Sequence, residues 1–419
     1  MHLLYTSIIT LLTPFILLRL YWKGIKSKAY RQRWQERLAI YNKQPPKHCI
    51  WFHAVSVGEA EAVFPLVKHI QNEHPTISIL ITTTTPTGSA RVLSVLGNTV
   101  THVYLPYDIP YVINHFFNHF EPKLAIIMEK EIWPNLFSQC NQLKIPLFII
   151  NARLSANSAK NYKKIPGLII PTLNKVTHIF AQTDEDMQHF IDIGVAKNKI
   201  SVLGNLKFDV SIPGQLITEG NQLNKTLFPQ RFVCIAASTH KGEEDILLKC
   251  YQKLKKEIPE LLLIIVPRHP ERFTEVKVLA ENKRFNTILR SSNEPCTEQT
   301  DIYIADTLGE LKMLYAAADI SFVGGSLTPI GGHNILESLA AGTPTLFGPY
   351  MLNFKEISQN VLAYKASIQC HTESDIINEI KNLYINKDYR DLLIKNGHEF
   401  LTHNIGATKK TYTILNTYL

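Results

Sequence analysis

The stretch "CIWFHAVSVGEAEAVFPLVKHIQ" (residues 49–71) predicts the first strand and helix of an α/β fold. Its first nine residues, Cys49 to Val57, are a mostly apolar run rich in β-prone side chains, and Gly58 ends that run. Glu59 follows at once, and apolar residues then recur at helical spacing. A buried strand that turns directly into a helix is the repeating unit of domains with a parallel sheet.

The same rhythm of strand and helix continues along the chain in two series, which predicts two α/β domains. We predict strands of the first series at residues 49–55, 77–85, 101–107, 124–129, 146–151, 178–182 and 200–205. Strands of the second series are predicted at residues 231–238, 261–267, 300–306, 320–325 and 343–348. Most are continuous apolar runs, as in parallel sheets that are buried on both faces. The sequence therefore predicts two Rossmann-like domains that face each other across a cleft.

Length and composition agree with two domains. The chain has 419 residues, of which 45% are hydrophobic, and this is enough for two cores. Residues 210–231 are polar and interrupted by glycine and proline, so we predict a linker there, between domains at residues 23–209 and 232–419. The formal net charge of +8 indicates an anionic partner without identifying it. The six cysteines lie singly in the sequence, which favours a reducing compartment and no structural zinc.

Residues 1–22 differ from the rest of the chain and are predicted to be a membrane anchor. The run "LLYTSIITLLTPFILLRLYW" carries one charge, and at about 1.5 Å per residue it is long enough to cross a hydrocarbon core of about 30 Å. The basic stretch at residues 23–37 predicts that the domains stay on the cytoplasmic side. An alternative is a helix that lies in the inner leaflet, because the run contains several threonines and Pro14.

The stretch "SFVGGSLTPIGGHNILE" in the second domain (residues 321–337) predicts a nucleotide site. Four glycines separate a strand from a helix that we predict to start near His333 or Asn334. A helix N-terminus favours a phosphate, and Glu337 can accept hydrogen bonds from a ribose diol. The alternative is that the glycines only form turns and that Glu337 only complements the helix dipole.

Two further stretches end predicted strands of the same sheet. These are "VPRHPER" (residues 266–272) and "ADTLGEL" (residues 305–311), and Arg268 can bind a phosphate or a pyrimidine carbonyl. Both favour the nucleotide interpretation. The glycine patterns of NAD and ATP sites are missing from the places where those cofactors would need them.

The motifs "HAVSVGE", "MEKEIWPN", "NARLS", "GNLKFD", "AASTHKGEE", "PRHPER", "DTLGEL" and "GGHNILE" follow one another from residue 53 to residue 337. Together they resemble the 3-deoxy-D-manno-octulosonic acid (Kdo) transferases of Gram-negative bacteria. The resemblance implies a GT-B glycosyltransferase on the cytoplasmic face of the inner membrane. It would transfer Kdo from CMP-Kdo to a lipid A precursor such as lipid IVA, without a metal or other cofactor and without nucleic acid.

The resemblance also implies roles for individual residues. Glu59 would be the general base, and Glu129 and Lys207 would stabilise the transition state. Glu131 and Arg153 are candidates for the acceptor site. The implied CMP-binding residues are Pro267, Arg268, Leu308, Gly309, Glu310, Asn334, Ile335, Leu336 and Glu337. The chain departs from the family pattern at Lys130, where threonine is usual, and at Ser338, where proline is common.

Three of these residues also have a purely structural interpretation. Ser56 and Glu59 have the spacing of a capping box, in which the serine bonds the first turn of a helix and the glutamate reaches back. The family resemblance favours the general base instead, and the helix N-terminus is expected to keep Glu59 ionised at pH 7. Glu129 and Lys207, both at strand ends, could be an ordinary surface ion pair.

Two rival functions stay open at this stage. One is a transferase or epimerase that uses a UDP-sugar, since such enzymes share paired Rossmann-like domains and a glycine-rich helix start. A competition between CMP and UDP for binding separates that possibility from a Kdo transferase. The other is a membrane scaffold without catalytic activity, which a turnover measurement excludes or supports.

Overall fold

The computed structural model describes residues 1–26, 28–41 and 46–419. The strands are β1 Ile50–His53, β2 Ile79–Thr83, β3 Thr101–Tyr104, β4 Leu124–Met128, β5 Leu147–Ala152, β6 His178–Ala181, β7 Ile200–Val202, β8 Phe232–Thr239, β9 Leu261–Pro267, β10 Thr287–Leu289, β11 Ile302–Ile304, β12 Ile320–Val323, β13 Thr345–Phe347 and β14 Ser367–Gln369. The helices are α1 His2–Lys26, α2 Val57–Glu73, α3 Pro86–Leu96, α4 Pro110–Phe120, α5 Pro134–Gln142, α6 Ala156–Tyr162, α7 Pro166–Leu173, α8 Asp184–Asp192, α9 Gly214–Leu227, α10 Glu243–Leu254, α11 Phe273–Asn282, α12 Leu311–Ala316, α13 Leu336–Ala340, α14 Lys355–Ala363, α15 Glu373–Ile385, α16 Lys387–Asn404 and α17 Ala407–Leu415.

The chain divides into two compact units. Unit 1 comprises residues 1–209 and 404–419, and unit 2 comprises residues 210–403. Each unit contains a seven-stranded parallel sheet, in the order β3-β2-β1-β4-β5-β6-β7 in unit 1 and β10-β11-β9-β8-β12-β13-β14 in unit 2. Two Rossmann-like α/β domains are thus confirmed, and so are all the predicted strands.

The sheet of unit 1 is buried on both faces, which explains the continuous apolar runs. All four residues of β1 are buried. Trp51 packs with Phe116 and Phe117 of α4 on one face, while Phe52 belongs to the cluster on the other face. Because alternate strand residues point to opposite faces, a strand in this position needs apolar side chains at every residue.

The sequence did not predict β10 and β14, the two outermost strands of the sheet in unit 2. Each has three residues, and most of them are only half-buried. An edge strand packs against one neighbour, so it needs fewer apolar side chains and leaves a weaker sequence pattern.

The predicted linker at residues 210–231 is not an independent segment. It contains α9, which belongs to unit 2 and packs against α12. Gly220 makes this packing possible, because a Cβ there would lie 2.4 Å from the backbone oxygen of Met313. The polar residues that suggested a linker lie on the exposed side of this amphipathic helix.

The C-terminal boundary of the second domain also differs from the prediction of 232–419, since residues 404–419 belong to unit 1. There α17 packs against α2, the helix that contains Glu59. The carboxylate of Asp209 accepts hydrogen bonds from the backbone N–H groups of Gly406 and Thr408 at the start of α17. Asp209 thus caps α17, although the first residue of that helix, Ala407, lies 198 residues later in the sequence.

Asp209→Ala is therefore expected to destabilise unit 1 by about 1–2 kcal/mol, the usual cost of losing a helix N-cap. Asp209→Asn is the matched control, because its amide oxygen can still accept one of the two hydrogen bonds. Thermal melting measures the overall loss, and faster amide exchange within α17 locates it. Unchanged exchange in α17 of the alanine variant would contradict the capping role.

Among the described residues, one helix is long and apolar enough to cross a membrane, at His2–Ile25. It falls where the anchor was predicted, and the structure extends it to Lys26. Length and composition are the criteria it meets, and a signal sequence can meet the same criteria.

Candidate active site

Each sheet has a point at which the order of strands reverses, and half of the predicted site residues follow the strands at these reversals. In unit 1 the reversal lies between β1 and β4, and in unit 2 it lies between β8 and β12. Parallel sheets bind ligands at the carboxyl ends of the strands beside such a point. Glu59 comes after β1, and Glu129 directly follows β4.

Glu59 lies in the first turn of α2 and is half-buried. One carboxylate oxygen accepts a hydrogen bond from the backbone N–H of Val55 at 2.8 Å, and the other accepts from the hydroxyl of Ser56 at 3.2 Å. The capping-box interpretation is therefore wrong in detail, because the Ser56 side chain bonds Glu59 itself and makes no cap bond to the backbone. Gly58, the residue before Glu59, borders open space, since a Cβ there would meet no atom within 4 Å.

The surroundings of Glu59 raise its pKa to about 7. Burial is the largest cause, and the negative charges of Glu129 and Glu131 raise the pKa further, while the bonds from Val55 and Ser56 oppose the shift. This pKa differs from the expectation that the helix N-terminus keeps Glu59 ionised at pH 7, because burial and the neighbouring carboxylates favour the protonated form. A carboxylate with a pKa near 7 is instead suited to accept a proton at neutral pH.

Glu129 and Lys207 form an ion pair, with 2.7 Å between the Lys207 Nζ and the Glu129 Oε1. Both side chains are only partly exposed, at 20% for Glu129 and 29% for Lys207. Glu129 also has a backbone φ of 57°, a left-handed conformation that costs energy for a residue with a side chain. Such strain is concentrated at functional sites, so it favours a functional pair over an ordinary surface pair.

A network of buried amides holds the segment that contains Lys207. The Asn151 side-chain oxygen accepts from the backbone N–H of Leu206, and the Asn205 oxygen accepts from the backbone N–H of Lys207. The Asn205 amide in turn donates to Gln182 at 3.0 Å. These positioning residues come from three separate strand ends. The sequence contained Asn151 and Asn205 within motifs but did not show their purpose.

The two candidates for the acceptor site have different surroundings. Glu131 has a pKa that is raised, first by burial, and its charge contributes to the shift of Glu59. Arg153 is exposed directly after β5, and Lys130 is exposed next to Glu129. Glu131 therefore belongs to the same group of carboxylates as Glu59, whereas Arg153 lies at the end of another strand.

In unit 2 the glycine-rich stretch differs from the prediction. The helix begins at Leu336, not at His333 or Asn334, and is five residues long. The backbone N–H groups of residues 325, 326 and 327 donate to the carboxylate of Glu243 at 2.7–2.9 Å, so they are not available to a phosphate. Gly324 is required by close packing, because a Cβ there would lie 2.8 Å from the backbone oxygen of Ser238.

Glu243 is fully buried and begins α10, directly after the loop that follows β8. It also accepts from the backbone N–H of His240 at 2.9 Å. Its carboxylate therefore joins the loops after β8 and β12, the two strands at the reversal in this sheet. The sequence showed this glutamate in "AASTHKGEE" but gave no sign of its partners in the loop after β12, which are more than 80 residues away.

Three histidines from three different motifs lie together, in the loops that follow β8, β9 and β12. The His240 and His333 rings share a hydrogen bond of 2.8 Å between their Nε2 atoms, and the His269 ring lies 5.3 Å from the His240 ring. Burial and the charge of Arg268 lower the pKa of His333 to about 3, and burial also lowers the pKa of His240. Both shifts favour the neutral rings of His240 and His333, and a bound anion would favour their protonation.

The other residues predicted to bind CMP have mixed surroundings. Glu310 forms an ion pair with Arg290, whereas Leu308 is 75% exposed and Gly309 is unobstructed. The Oε1 atom of Glu337 lies 4.0 Å from the Nζ atom of Lys312. The two residues belong to α13 and α12, which pack against each other.

Side chains in the core limit how some of these residues could bind a nucleotide. Ile335 and Leu336 are fully buried, so only their backbone can reach a ligand, and Pro267 is buried at the end of β9. The hydroxyl of Ser338 accepts from Thr345 at 2.8 Å and donates to a backbone oxygen, so the fold uses the serine at this unusual position. Within the described ranges, no three His, Cys, Asp or Glu side chains are grouped to hold a metal ion.

Comparison with known proteins identifies the family. A family model described as 3-deoxy-D-manno-octulosonic-acid transferase (kdotransferase) matches residues 32–210. The 3-deoxy-D-manno-octulosonic acid transferase of Haemophilus influenzae is 40% identical over 419 residues, which cover 99% of this chain and 98% of the relative. A probable mitochondrial 3-deoxy-D-manno-octulosonic acid transferase of Arabidopsis thaliana is 32% identical, with 99% of this chain and 92% of the relative covered.

A solved structure shows the same fold. The UDP-GlcNAc 2-epimerase of Neisseria meningitidis, bound to UDP-GlcNAc, has a TM-score of 0.54 and covers 88% of this chain and 99% of its own. At 15% identity this likeness concerns the fold alone, which is the GT-B arrangement of two Rossmann-like domains in one chain. The sequence relatives decide the family: the chain belongs to the Kdo transferases and is a glycosyltransferase.

Proposed function

We propose that this enzyme transfers Kdo from CMP-Kdo to a lipid A precursor, with Glu59 as the general base. The observation that carries the proposal is the group of carboxylates at the strand reversal in unit 1, where the pKa of Glu59 is raised to about 7 beside the ion pair of Glu129 and Lys207. Perturbed carboxylates at such a point are typical of catalytic sites.

In the proposed reaction, a sugar hydroxyl of the acceptor attacks the anomeric carbon of Kdo. Its proton passes to Glu59, and the bond from that carbon to the phosphate oxygen of CMP breaks with its electron pair. CMP is a good leaving group, so no general acid is required. One displacement inverts the anomeric centre and gives an α-linked Kdo from a β-linked donor. Glu129 is proposed to stabilise positive charge on the sugar, and Lys207 to offset the donor's negative charge.

Unit 2 is proposed to bind the donor. Arg268 and the cluster of His240, His269 and His333 can receive its anionic groups, and Glu337 can accept hydrogen bonds from the ribose. Arg268, together with histidines that gain a proton as the anion binds, would supply the positive charge that a metal ion supplies in other transferases, so we expect transfer to survive chelation by EDTA. The exposed apolar helix α1 and the basic residues after it are proposed to attach the enzyme to the cytoplasmic face of the inner membrane.

The proposal is tested by mass spectrometry of products from defined substrates. Purified enzyme is incubated with lipid IVA and either CMP-Kdo or UDP-sugars, and the number of added Kdo residues is read from the mass. We expect Kdo addition from CMP-Kdo and none from UDP-sugars. Conversion of a UDP-sugar, or no turnover of CMP-Kdo, would reject the proposed donor.

The raised pKa of Glu59 predicts an acidic limb in the pH profile. A general base acts as the carboxylate, so kcat/KM is expected to fall about tenfold for each pH unit below about 7 and to be level just above it. An ordinary glutamate, with a pKa of about 4.3, would give a level profile down to about pH 5. A level rate between pH 7.5 and 5.5 would therefore contradict a base with a pKa near 7, and the same profile measured for Glu59→Gln shows whether the acidic limb belongs to Glu59.

Glu337→Ala is expected to weaken CMP binding about tenfold or more, because it removes a charge-assisted hydrogen bond of about 1.5–3 kcal/mol. Lys312→Ala is the matched control, since it breaks the pair with Glu337 but leaves the carboxylate in place. Calorimetry with CMP measures both variants. Equal losses of affinity in the two variants would mean that Glu337 acts only through Lys312.

A further inference from the structure

The N-terminal end of α1 is hydrogen-bonded to the α/β core of unit 1. The hydroxyl of Tyr5 donates to the carboxylate of Asp108 at 2.9 Å, and the hydroxyl of Thr6 donates to the side-chain oxygen of Asn135 at 2.8 Å. A Cβ at Gly167 in α7 would lie 3.1 Å from the side chain of Met1, so the first turn of α1 also lies close to α7.

Asp108 is a rigid attachment point. It is 2% exposed, and it accepts hydrogen bonds from the backbone N–H groups of Asn135 and Leu136 at the start of α5. Its backbone oxygen also accepts from the Asn135 side chain at 2.6 Å. The contact with Tyr5 therefore fixes the first turn of α1 to the core of unit 1.

The chain that follows α1 is bonded to the same unit. Arg33 donates to the backbone oxygen of His102 at 2.7 Å, and Glu36 accepts from the backbone N–H of Tyr104 at 2.9 Å. The guanidinium of Arg37 donates to the backbone oxygen of Thr84 at 2.7 Å and is buried. The first turn of α1 is thus attached near α5 and α7, and the segment that begins seven residues after α1 is attached near β2 and β3.

Exposure along α1 alternates with the period of a helix. The half-exposed residues recur every three or four positions along nearly the whole helix, and they are His2, Tyr5, Thr6, Ile9, Thr13, Ile16, Leu17 and Leu20. The opposite face is exposed and apolar, and it consists of Leu3, Leu4, Ile8, Leu11, Leu12, Phe15, Leu18, Trp22 and Ile25. The half-exposed residues therefore share one side of α1, and the apolar residues on the other side have no cover in the described chain.

These contacts are incompatible with a helix that crosses the bilayer. A helix of 25 residues is about 37 Å long, and to span a core of about 30 Å it must place its two ends in water on opposite sides. Here the first turn of α1 is fixed to the same folded unit that holds the segment after the helix, so its N-terminal end lies on the side of unit 1. We infer that α1 lies in the plane of one leaflet, with its exposed apolar face in the boundary between headgroups and acyl chains.

The charges near one end of this face fit a bilayer with anionic headgroups. Arg19, Lys23, Lys28 and Arg31 are all exposed around the C-terminal end of α1. Basic residues beside an apolar face bind anionic lipid surfaces, whereas a second copy of the chain would bring the same positive charges together. The inference rests on the proposed membrane attachment, but not on the proposed reaction.

Depth-dependent fluorescence quenching tests the inference on the full chain. Two variants are compared, both with Trp34→Phe: one retains Trp22, and the other carries Trp22→Phe and Leu11→Trp. Trp51 is fully buried and Trp133 packs against the core, so neither is expected to respond to lipid quenchers. The vesicles contain phosphatidylglycerol and phosphatidylcholine that is brominated either at carbons 6 and 7 or at carbons 11 and 12.

An in-plane helix places residues 11 and 22 at the same shallow depth. We therefore expect the shallow bromines to quench both tryptophans more strongly than the deep bromines do, with the same ratio. A spanning helix would place residue 11 near the bilayer centre, and stronger quenching there by the deep bromines would overturn the inference while leaving membrane attachment intact. If neither position were quenched, the proposed attachment itself would fail.

A second measurement does not depend on the tryptophan variants. A protease-cleavable tag is added before Met1, and protease is added to spheroplasts and to inverted inner-membrane vesicles. An in-plane helix keeps the tag on the same side of the membrane as the catalytic units. The protease should therefore cleave the tag in the preparation in which it also digests the catalytic units, and in no other. Cleavage of the tag from the opposite face would overturn the inference.

Discussion

Glu59→Gln is expected to lower Kdo transfer by about a hundredfold or more, the usual scale for the loss of a general base. The amide oxygen can still accept from the N–H of Val55, so the start of α2 should keep its geometry. The amide cannot accept a proton from the acceptor hydroxyl, which is the step that the substitution removes. Transfer is measured with saturating CMP-Kdo and lipid IVA at pH 8, where the wild-type carboxylate is ionised.

The stability of the same variant separates catalysis from folding. Because the pKa of Glu59 is raised in the folded state, ionisation of this carboxylate disfavours folding as the pH rises from about 4.5 through 7. Glutamine cannot ionise, so Glu59→Gln should be at least as stable as the wild type at pH 8. At pH 4.5 the two proteins should melt at similar temperatures. CMP affinity should not change, since CMP is proposed to bind unit 2.

Glu61→Gln is the matched control, because Glu61 lies two residues away on the same helix and pairs with Arg91 near the surface. It should transfer Kdo at close to the wild-type rate. Near-normal transfer by Glu59→Gln, together with a lower melting temperature at pH 8, would show that Glu59 only supports the helix start.

Glu243→Gln is expected to disrupt the loops at the strand reversal in unit 2 and to abolish donor binding. The carboxylate of Glu243 accepts four backbone hydrogen bonds, and it is fully buried. Glutamine replaces one oxygen with an amide N–H₂, which would face the N–H groups of His240 and Gly325. Buried donors without a partner cost about 1–3 kcal/mol each, so a loss on the order of 3 kcal/mol or more is expected.

Thermal melting and CMP calorimetry measure this effect, with amide exchange in residues 325–327 as the local readout. Glu281→Gln on α11 is the control, because Glu281 is about half exposed and pairs with Lys277 at the surface. The control should melt and bind CMP like the wild type. Protection of residues 325–327 that survived in Glu243→Gln would contradict the assignment of Glu243 as the residue that joins the two loops.

The two parallel sheets could be predicted from the sequence because burial on both faces leaves an uninterrupted apolar run. The strand ends could be predicted as well, and with them Glu59, Glu129 and Lys207 as neighbours at one sheet edge. The short edge strands and the amphipathic α9 could not, since one-sided packing imposes a weaker pattern. Motif order was sufficient to suggest the family, and the relatives confirm it.

What only the tertiary structure decided depends on distances between residues that are far apart in the sequence. The pKa of Glu59 is raised by burial and by the charges of Glu129 and Glu131, which lie about 70 residues later in the sequence. The residues next to Glu59 in the sequence therefore do not reveal this shift. The bonds between Glu243 and the glycine-rich loop and between Asp209 and α17 also join residues that are far apart in the sequence, so no local pattern predicts them. The sequence determined that residues 1–22 are apolar enough for a membrane. The bond from Tyr5 to a buried carboxylate is what indicates that this helix lies beside unit 1, because hydropathy measures affinity for lipid and contains no information on orientation.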